Sequence, residues 1–364
     1  MGHYDCIIIG AGQSGLYAAK LLKERNISYI VLERDKVGQV WQNRLDGMKL
    51  FTSRQFCGLP GLPFPGDAES FPSVDEMGEY LKTFANALQL SVRENSEVLS
   101  LIKEQERFIV TLKDDERLTA RCVINATGSN QVPYVPPISS HLSSDVLQFD
   151  GTLKNLKLIP TGSKVVVVGD GATGRQIAAR LVEICEVTLA TGTARGLPPG
   201  VIFGKDLFWW LNKIGILFAD KYSVVARFLK KRNPVPCGDS NNQKLSRLGV
   251  HIVGRAQECS GRTMSFENSE KTEVDVVIWA TGYSDKTGWL QLPHCINEEG
   301  FIEEYGVTPE PGLFVLGRKW LSCRASELLM GLPRDAERVI CEVEKYLVKG
   351  SNTSISAGEL ATKI

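Results

Sequence analysis

Apolar residues first gather at Cys6 to Ile9, lead through GAGQSG into a segment of helical spacing from Ser14 to about Arg25, and gather again from Ser28 to Leu32. Short apolar runs bounded by glycine predict buried strands, and the periodic segment between them predicts a helix. The product is a strand–turn–helix–strand unit whose second strand ends in Glu33. The same order returns, with Gly169 standing 159 residues after Gly10: a strand at Lys164 to Val168, GDGATG, a helix at Arg175 to Ile184 and a strand at Glu186 to Ala190.

Between the two units, residues 36–67 are rich in glycine and proline and predict a long irregular stretch of the kind that wraps a ligand. Phe71-Pro72-Ser73 caps a predicted helix from Val74 to Leu88, with Met77, Leu81, Phe84 and Leu88 on one face. Strands follow at Glu97 to Lys103, Arg107 to Leu112 and Leu118 to Ile124, the last delivering Ala126-Thr127-Gly128. Residues 196–245 hold an aromatic cluster, Phe203, Phe208, Trp209, Trp210 and Phe218. Core packing or the lip of a cleft is expected of it, with a surface for a membrane or partner as the alternative. Lys230, Lys231 and Arg232 read as a solvated basic run.

Further strands are predicted at Gly249 to Val253, in a strand–turn–strand region to about Glu267, and at Val274 to Trp279, which delivers a second ATG at Ala280-Thr281-Gly282. A strand over 311–317 then ends at Gly317, a helix runs from Ser326 to about Val348, and the polar residues 351–364 are expected to fray. The fold class expected is α/β with two Rossmann-like dinucleotide-binding domains. The first covers 1–158 and resumes at 281–350, and the second, 159–280, is inserted in it.

Each part of the repeated unit has a physical role. Gly10 permits the tight turn, Gly12 lets a pyrophosphate approach the backbone and Gly15 lets the helix pack on the strand, while the helix N-terminus supplies N–H groups. Glu33 is spaced to accept from a ribose 2′-hydroxyl. Gly169, Gly171, Ala172, Thr173 and Gly174 repeat the turn, but Ala190-Thr191-Gly192 stands where an acid would be, with Arg195 close by. Loss of the acid beside a basic residue tolerates a 2′-phosphate, which leans the second site toward NADPH and leaves NADH open.

With 42 basic and 42 acidic residues the chain has no net charge, so nothing in that balance points to nucleic acid or to an anionic membrane. No apolar run is long enough for a transmembrane helix, and a first strand beginning near residue 4 leaves no room for a signal peptide. A soluble cytoplasmic protein is expected. The nine cysteines contain no CxxC pair, which argues against a flavin-dependent disulfide reductase, and the four histidines have no metal-ligand spacing.

Taken together, WQNRLDGMKLFTSRQFCGLPGLPFPGD, ATGSNQVPYVP, VVVVGDGATG, IWATGY and PGLFVLGRKWLSCRASELLMG resemble, in order and spacing, the single-component flavin-containing monooxygenases, in particular the short bacterial members and the plant YUCCA type. The resemblance covers residues 4 to about 345. It implies a glutathione-reductase-like architecture with FAD on the first domain and NADPH or NADH on the second. Reduced flavin would take up molecular oxygen at C4a, and the resulting (hydro)peroxide would oxygenate a small nitrogen- or sulfur-containing compound or a ketone. The cofactor carries that chemistry, so no catalytic side chain is assigned.

By position, Gly10, Gly12, Gln13, Ser14, Gly15, Glu33 and Arg34 look like the FAD phosphate and ribose sites. Val40, Trp41, Thr52 and Ser53 fall beside the flavin half, and Val98, Ala126, Thr127, Gly128, Gly317 and Arg324 complete the FAD set. The second glycine turn with Thr191, Arg195, Ala280, Thr281 and Gly282 forms the NAD(P)H set. Three positions depart from the family. Leu142, Ser144 and Gln148 stand in its FxGxxxH-like linking signature, Thr191 replaces an arginine that holds the 2′-phosphate, and Phe51 replaces a flavin-contacting asparagine. The implied partner is a small-molecule substrate, and a homodimer is left open. An NAD(P)H oxidase or flavin reductase without productive oxygenation, or a non-catalytic flavin redox sensor, are the alternatives.

Overall fold

Parallel strands set the frame because both glycine units form as their patterns predict. In the computed structural model, which describes residues 2–235, 237 and 240–361, strand Gly2–Ile9 runs into helix Gln13–Glu24 and returns as strand Tyr29–Leu32. Gly2–Ile9 pairs in parallel with Tyr29–Leu32 on one side and with Arg117–Asn125 on the other. The sheet has seven strands. Arg117–Asn125 is shared along its length: its first half pairs antiparallel with Arg107–Leu112, and its second half pairs in parallel with the late strand Leu313–Val315. That late pairing joins the end of the chain to its beginning.

The second sheet is wholly parallel, with five strands in the order 251–253, 186–190, 164–168, 276–279 and 147–150. Its outermost strand, Leu147–Asp150, lies before residue 159, so the chain joins this sheet earlier than the expected boundary. Gln148, at the altered linking signature, accepts a hydrogen bond there from Trp279 Nε1 at 3.0 Å. The two segments that cross between the sheets pair with each other, Tyr283–Ser284 against Val132–Pro133.

Several expectations shift. The helix expected at 175–184 is Ala172–Leu181, since Gly171 already serves as its N-cap. Residues 36–67 are irregular except for one helical turn, Gln39–Gln42, and a 3-10 turn, Arg54–Phe56. The last helix does not begin at Ser326. Arg324–Glu327 is a 3-10 turn, Gly331 packs so closely that a Cβ would lie 2.1 Å from the Ala325 oxygen, and the helix runs Leu332–Ala361, through residues expected to fray. A hairpin strand, Lys271–Glu273, extends the predicted strand–turn–strand region.

One buried cluster spans both units, with Leu16, Met77, Phe84 and Ile124 from the first, Ile177, Leu189 and Ile278 from the second, and Val339, Ile340 and Val343 from the last helix. Loop 46–49 ties them further, because Asp46 N donates to Lys154 O at 2.9 Å and Arg180 donates to the carbonyl of Gly47 at 2.6 Å. Ser73 closes helix Val74–Ala87 with a full capping box. Its hydroxyl accepts from Glu76 N at 3.2 Å, and its own N–H donates to Glu76 Oε2 at 2.8 Å. Ser73→Ala should lower stability by about 1 kcal/mol in denaturant titrations. The Ser73 amide, aided by Arg54, also holds the Glu76 carboxyl below its usual range. Its stabilising contribution is therefore present above the unfolded-state value and should fade as pH falls through the depressed one.

Candidate functional site

Both glycine turns open onto one cleft of about 1390 Å³. Gly10 and Gly169 sit at φ +102° and +109°, and a Cβ on them would lie 2.7 Å from the Ala126 oxygen and 2.3 Å from the Ala280 oxygen. The two ATG turns are thus pressed onto the two glycines, fixed by Ala126 N donating to Ile9 O at 2.9 Å and Ala280 N donating to Val168 O at 2.8 Å. A Cβ on Gly15 or Gly174 would sit 1.9 or 2.0 Å from the oxygen of Gly10 or Gly169, so these third glycines lie behind the cleft and let the helix meet the turn.

Gly12 and Gly171 are different, because a Cβ there meets nothing within 4 Å. Both are N-caps with no side-chain hydrogen bond to the helix. First-turn N–H groups are left for a ligand, and open space lies in front of them. A dinucleotide pyrophosphate fits both features.

The units differ at their second strands. Glu33 lines the cleft, where Oε2 accepts from Ala11 N at 2.7 Å and Oε1 from Asp35 N at 3.0 Å. Thr191 stands at the matching place in the second unit, its hydroxyl donating to Val253 O at 2.8 Å. Asp170, which takes the place of Ala11, pairs with Arg175 at 3.4 Å and Arg195 at 3.5 Å. Arg195 reaches the cleft with its Nε buried and without a hydrogen-bond partner. Arg255, two residues beyond Val253, also lines the cleft and donates to Thr193 Oγ1 at 3.1 Å. Sequence reading missed Arg255, which carries no motif; its position follows only from the pairing of strands 186–190 and 251–253.

On the first unit's side, Gln13, Ser14, Arg34, Val40, Trp41, Thr52 and Val98 lie on the wall, as do Ala126, Thr127, Gly128, Gly317 and Arg324. Trp41 Nε1 donates to Gln13 Oε1 at 3.3 Å, and a Cβ on Gly317 would be 2.3 Å from Ser14 Oγ, so the late strand closes on the first turn. Arg324 is ion-paired with Glu327. Ala172, Thr173, Ala280, Thr281 and Gly282 line the second half, and the Thr281 hydroxyl donates to Tyr134 O.

Ser53 corrects the expectation. It is fully buried off the cleft wall, where its N–H and hydroxyl donate to Asp206 Oδ2 at 2.7 and 2.8 Å. Burial raises the Asp206 carboxyl above its usual value. Phe51 does line the cleft, with its ring 5.8 Å from that of Phe208. Arg44 is a second residue that sequence reading missed. It sits 4.9 Å over the Trp41 ring with Nε buried and without a hydrogen-bond partner, and burial pushes its guanidinium below the ordinary value. The basic run also departs from expectation, because Lys230 lines the cleft and lies 4.9 Å over the Trp320 ring.

Among the described residues, no cysteine lines the cleft. Cys57 lies behind Thr52, 3.2 Å from its hydroxyl, and burial pushes its thiol up to about 11. All nine cysteines are unpaired.

The chain belongs to the pyridine nucleotide-disulphide oxidoreductase family, whose model matches residues 7–196. It is 36% identical to a CzcO-like oxidoreductase of Geobacillus kaustophilus, over 93% of this chain and 98% of that one. It is 27% identical to the indole-3-pyruvate monooxygenase YUCCA6 of Arabidopsis thaliana, over 93% of this chain and 90% of the relative. The solved flavin-containing monooxygenase from Stenotrophomonas maltophilia shares the fold with a TM-score of 0.79 and 24% identity, covering 95% of this chain and 99% of that one.

Two outcomes follow from the glycine geometry. Gly12→Ala should keep the thermal midpoint of the apoprotein while flavin content after purification falls, whereas Gly15→Ala should lose about 1–3 kcal/mol or more of stability. Thiol titration of the folded protein should label the exposed Cys341 and half-buried Cys185 well before Cys57. Anaerobic reduction should then show no thiolate-to-flavin charge-transfer band.

Proposed function

We propose that this protein is an FAD-dependent, NAD(P)H-using monooxygenase that oxygenates a small nitrogen- or sulfur-containing compound or a ketone with molecular oxygen. The observation that carries the reading is the single cleft joining both glycine turns, with no described cysteine on its walls to take electrons onward. The named monooxygenases among the similar proteins support it. We assign FAD to residues 1–146 and 281–350 and the nicotinamide dinucleotide to 147–280, since strand Leu147–Asp150 belongs to the second sheet.

When bound, FAD supplies the redox and oxygen-activating chemistry. The chain's part is to bind, orient and exclude water. First-turn amides after Gly12 and Gly171 receive the two pyrophosphates, and Glu33 is placed to share its carboxylate with an unphosphorylated ribose. Phe51, Leu328 and Leu329 are apolar side chains on the cleft wall, suited to excluding water from the site where the flavin would sit.

We also assign the second site to NADPH. Arg255 takes over from the arginine that Thr191 replaces: it enters the same lip from the neighbouring strand, with Arg195 beside it and no carboxylate at position 191. A charge-assisted contact of this kind contributes about 1.5–3 kcal/mol. Arg255→Gln should therefore raise the KM for NADPH about tenfold or more and weaken 2′,5′-ADP binding in calorimetry to the same extent, leaving NADH unchanged. Equal effects on NADPH and NADH would refute the assignment. For the reaction itself, NAD(P)H consumption should be coupled to incorporation of an oxygen atom from O2 into an amine, sulfide or ketone. Recovery of all reducing equivalents as hydrogen peroxide across those classes would remove the monooxygenase reading.

A further inference from the structure

Residues 196–235 belong to neither of the two large sheets. They form a two-strand hairpin, Val201–Ile202 with Lys205–Asp206, then helix Leu207–Lys213 and helix Val224–Arg232. Their inner side is well anchored. Phe208 and Leu217 pack with Cys323, Ala325 and Leu328, and Asp206 receives the Ser53 hydrogen bonds. The outer side is apolar. Phe203 is 92% exposed, Val224 71%, Ile214 69% and Phe228 57%.

Phe203 is exposed at a backbone position that disfavours it. Ile202 and Lys205 pair across a two-residue turn in which Phe203 has φ +48° and Gly204 φ +73°. Such turns favour Asn-Gly, and an aromatic side chain in the left-handed region is strained. Its ring meets that of Trp210 edge-on at 6.4 Å and otherwise faces solvent, so a solvent-facing loop gains little from a phenylalanine there. A tip that inserts into an apolar medium does.

Charge gives the second observation. Within residues 196–235, seven basic residues (Lys205, Lys213, Lys221, Arg227, Lys230, Lys231 and Arg232) outnumber Asp206 and Asp220, in a chain whose net charge is zero, although Lys205 pairs with Glu69 and Lys221 with Glu304 from outside the segment. Asp206 is buried, and Asp220 accepts from Tyr305 and the Tyr222 amide. The exposed apolar side chains of Val224, Val225 and Phe228 thus share their helix with Arg227, Lys231 and Arg232. Exposed aromatic and aliphatic residues rimmed by cations match an interfacial surface for anionic lipid. Among the described residues no helix is long and apolar enough to cross a membrane.

We propose that this insertion docks the protein on an anionic lipid bilayer, with Phe203 at the hairpin tip entering the headgroup boundary and the basic helix Val224–Arg232 lying against it. The same helix turns Leu229 and Lys230 to the cleft, so the docking element is also part of the cleft mouth.

The test is co-sedimentation of the flavin-loaded protein with phosphatidylcholine vesicles, with or without phosphatidylglycerol, alongside sedimentation velocity without lipid. Wild type should bind the phosphatidylglycerol vesicles, less so as salt rises, and bind phosphatidylcholine alone weakly. Phe203→Gly suits the turn, so its thermal midpoint and flavin content should equal or exceed wild type, while vesicle binding falls about tenfold or more. Lys231→Glu with Arg232→Glu should remove most of the salt-sensitive binding. Failure of wild type to bind either vesicle, or binding by Phe203→Gly equal to wild type, would overturn the proposal. Equal binding to both vesicle types would also overturn it. Concentration-dependent self-association that Phe203→Gly abolishes would instead make a second copy of the chain the occupant, and would overturn the lipid assignment.

Discussion

The architecture depends on one repeated contact, the carbonyl of an ATG turn seated where a glycine has no side chain. At Gly10 the neighbour is the Ala126 oxygen, and at Gly169 it is the Ala280 oxygen. Each contact locks three separate chain segments, since the glycine N–H also donates to the end of the next strand, Gly10 to Leu32 O at 2.8 Å and Gly169 to Ala190 O at 2.9 Å. Strand, turn and returning strand meet at a single point where no other residue fits. Because the third glycine presses on the first from behind, the helix N-terminus is fixed in direction as well as place. The open space at Gly12 and Gly171 is a consequence of that crowding on every other side.

This local rigidity explains what was legible in the sequence. Strand Lys164–Val168 was readable to the residue because four consecutive valines end at a glycine turn. The capped helix from Val74 was readable because Ser73 and Glu76 carry their own start signal. The late helix was misplaced by six residues, although Pro333, the second residue of Leu332–Ala361, marks its start. Leucines at 328 and 329 suggested a helical face, but the 3-10 turn Arg324–Glu327 ends before them, and Leu328 is extended where Gly331 packs against Ala325.

Side chains whose meaning comes from a distant partner were not legible. Ser53 sits in a motif that pointed to flavin, yet Asp206, 153 residues away, turns it into an anchor. Arg44 and Arg255 are single cations in loops, and only folding sets one on Trp41 and the other beside Thr193. The aromatic cluster was split rather than misread. Phe208 went to a core, whereas Phe203 went to solvent, and nothing in the local composition separates the two until Phe203 is seen at the tip of the hairpin.

The asymmetry of the two units follows from small differences on a common frame. Glu33 braces the first turn through Ala11 and faces the cleft, so an unphosphorylated ribose and the glycine turn can share one carboxylate. In the second unit the acid has moved into the turn itself, as Asp170, where Arg175 and Arg195 hold it. Position 191 then carries no carboxylate, and Arg195 and Arg255 line the cleft there. The glycine–carbonyl contacts are the same in the two units, and the charged side chains set beside them differ. The insertion is coupled to the same frame through Asp206, whose buried carboxylate is satisfied by Ser53 and by the Phe208 amide. Ser53 directly follows Phe51 and Thr52, which line the cleft, so the insertion is anchored one residue from the cleft wall.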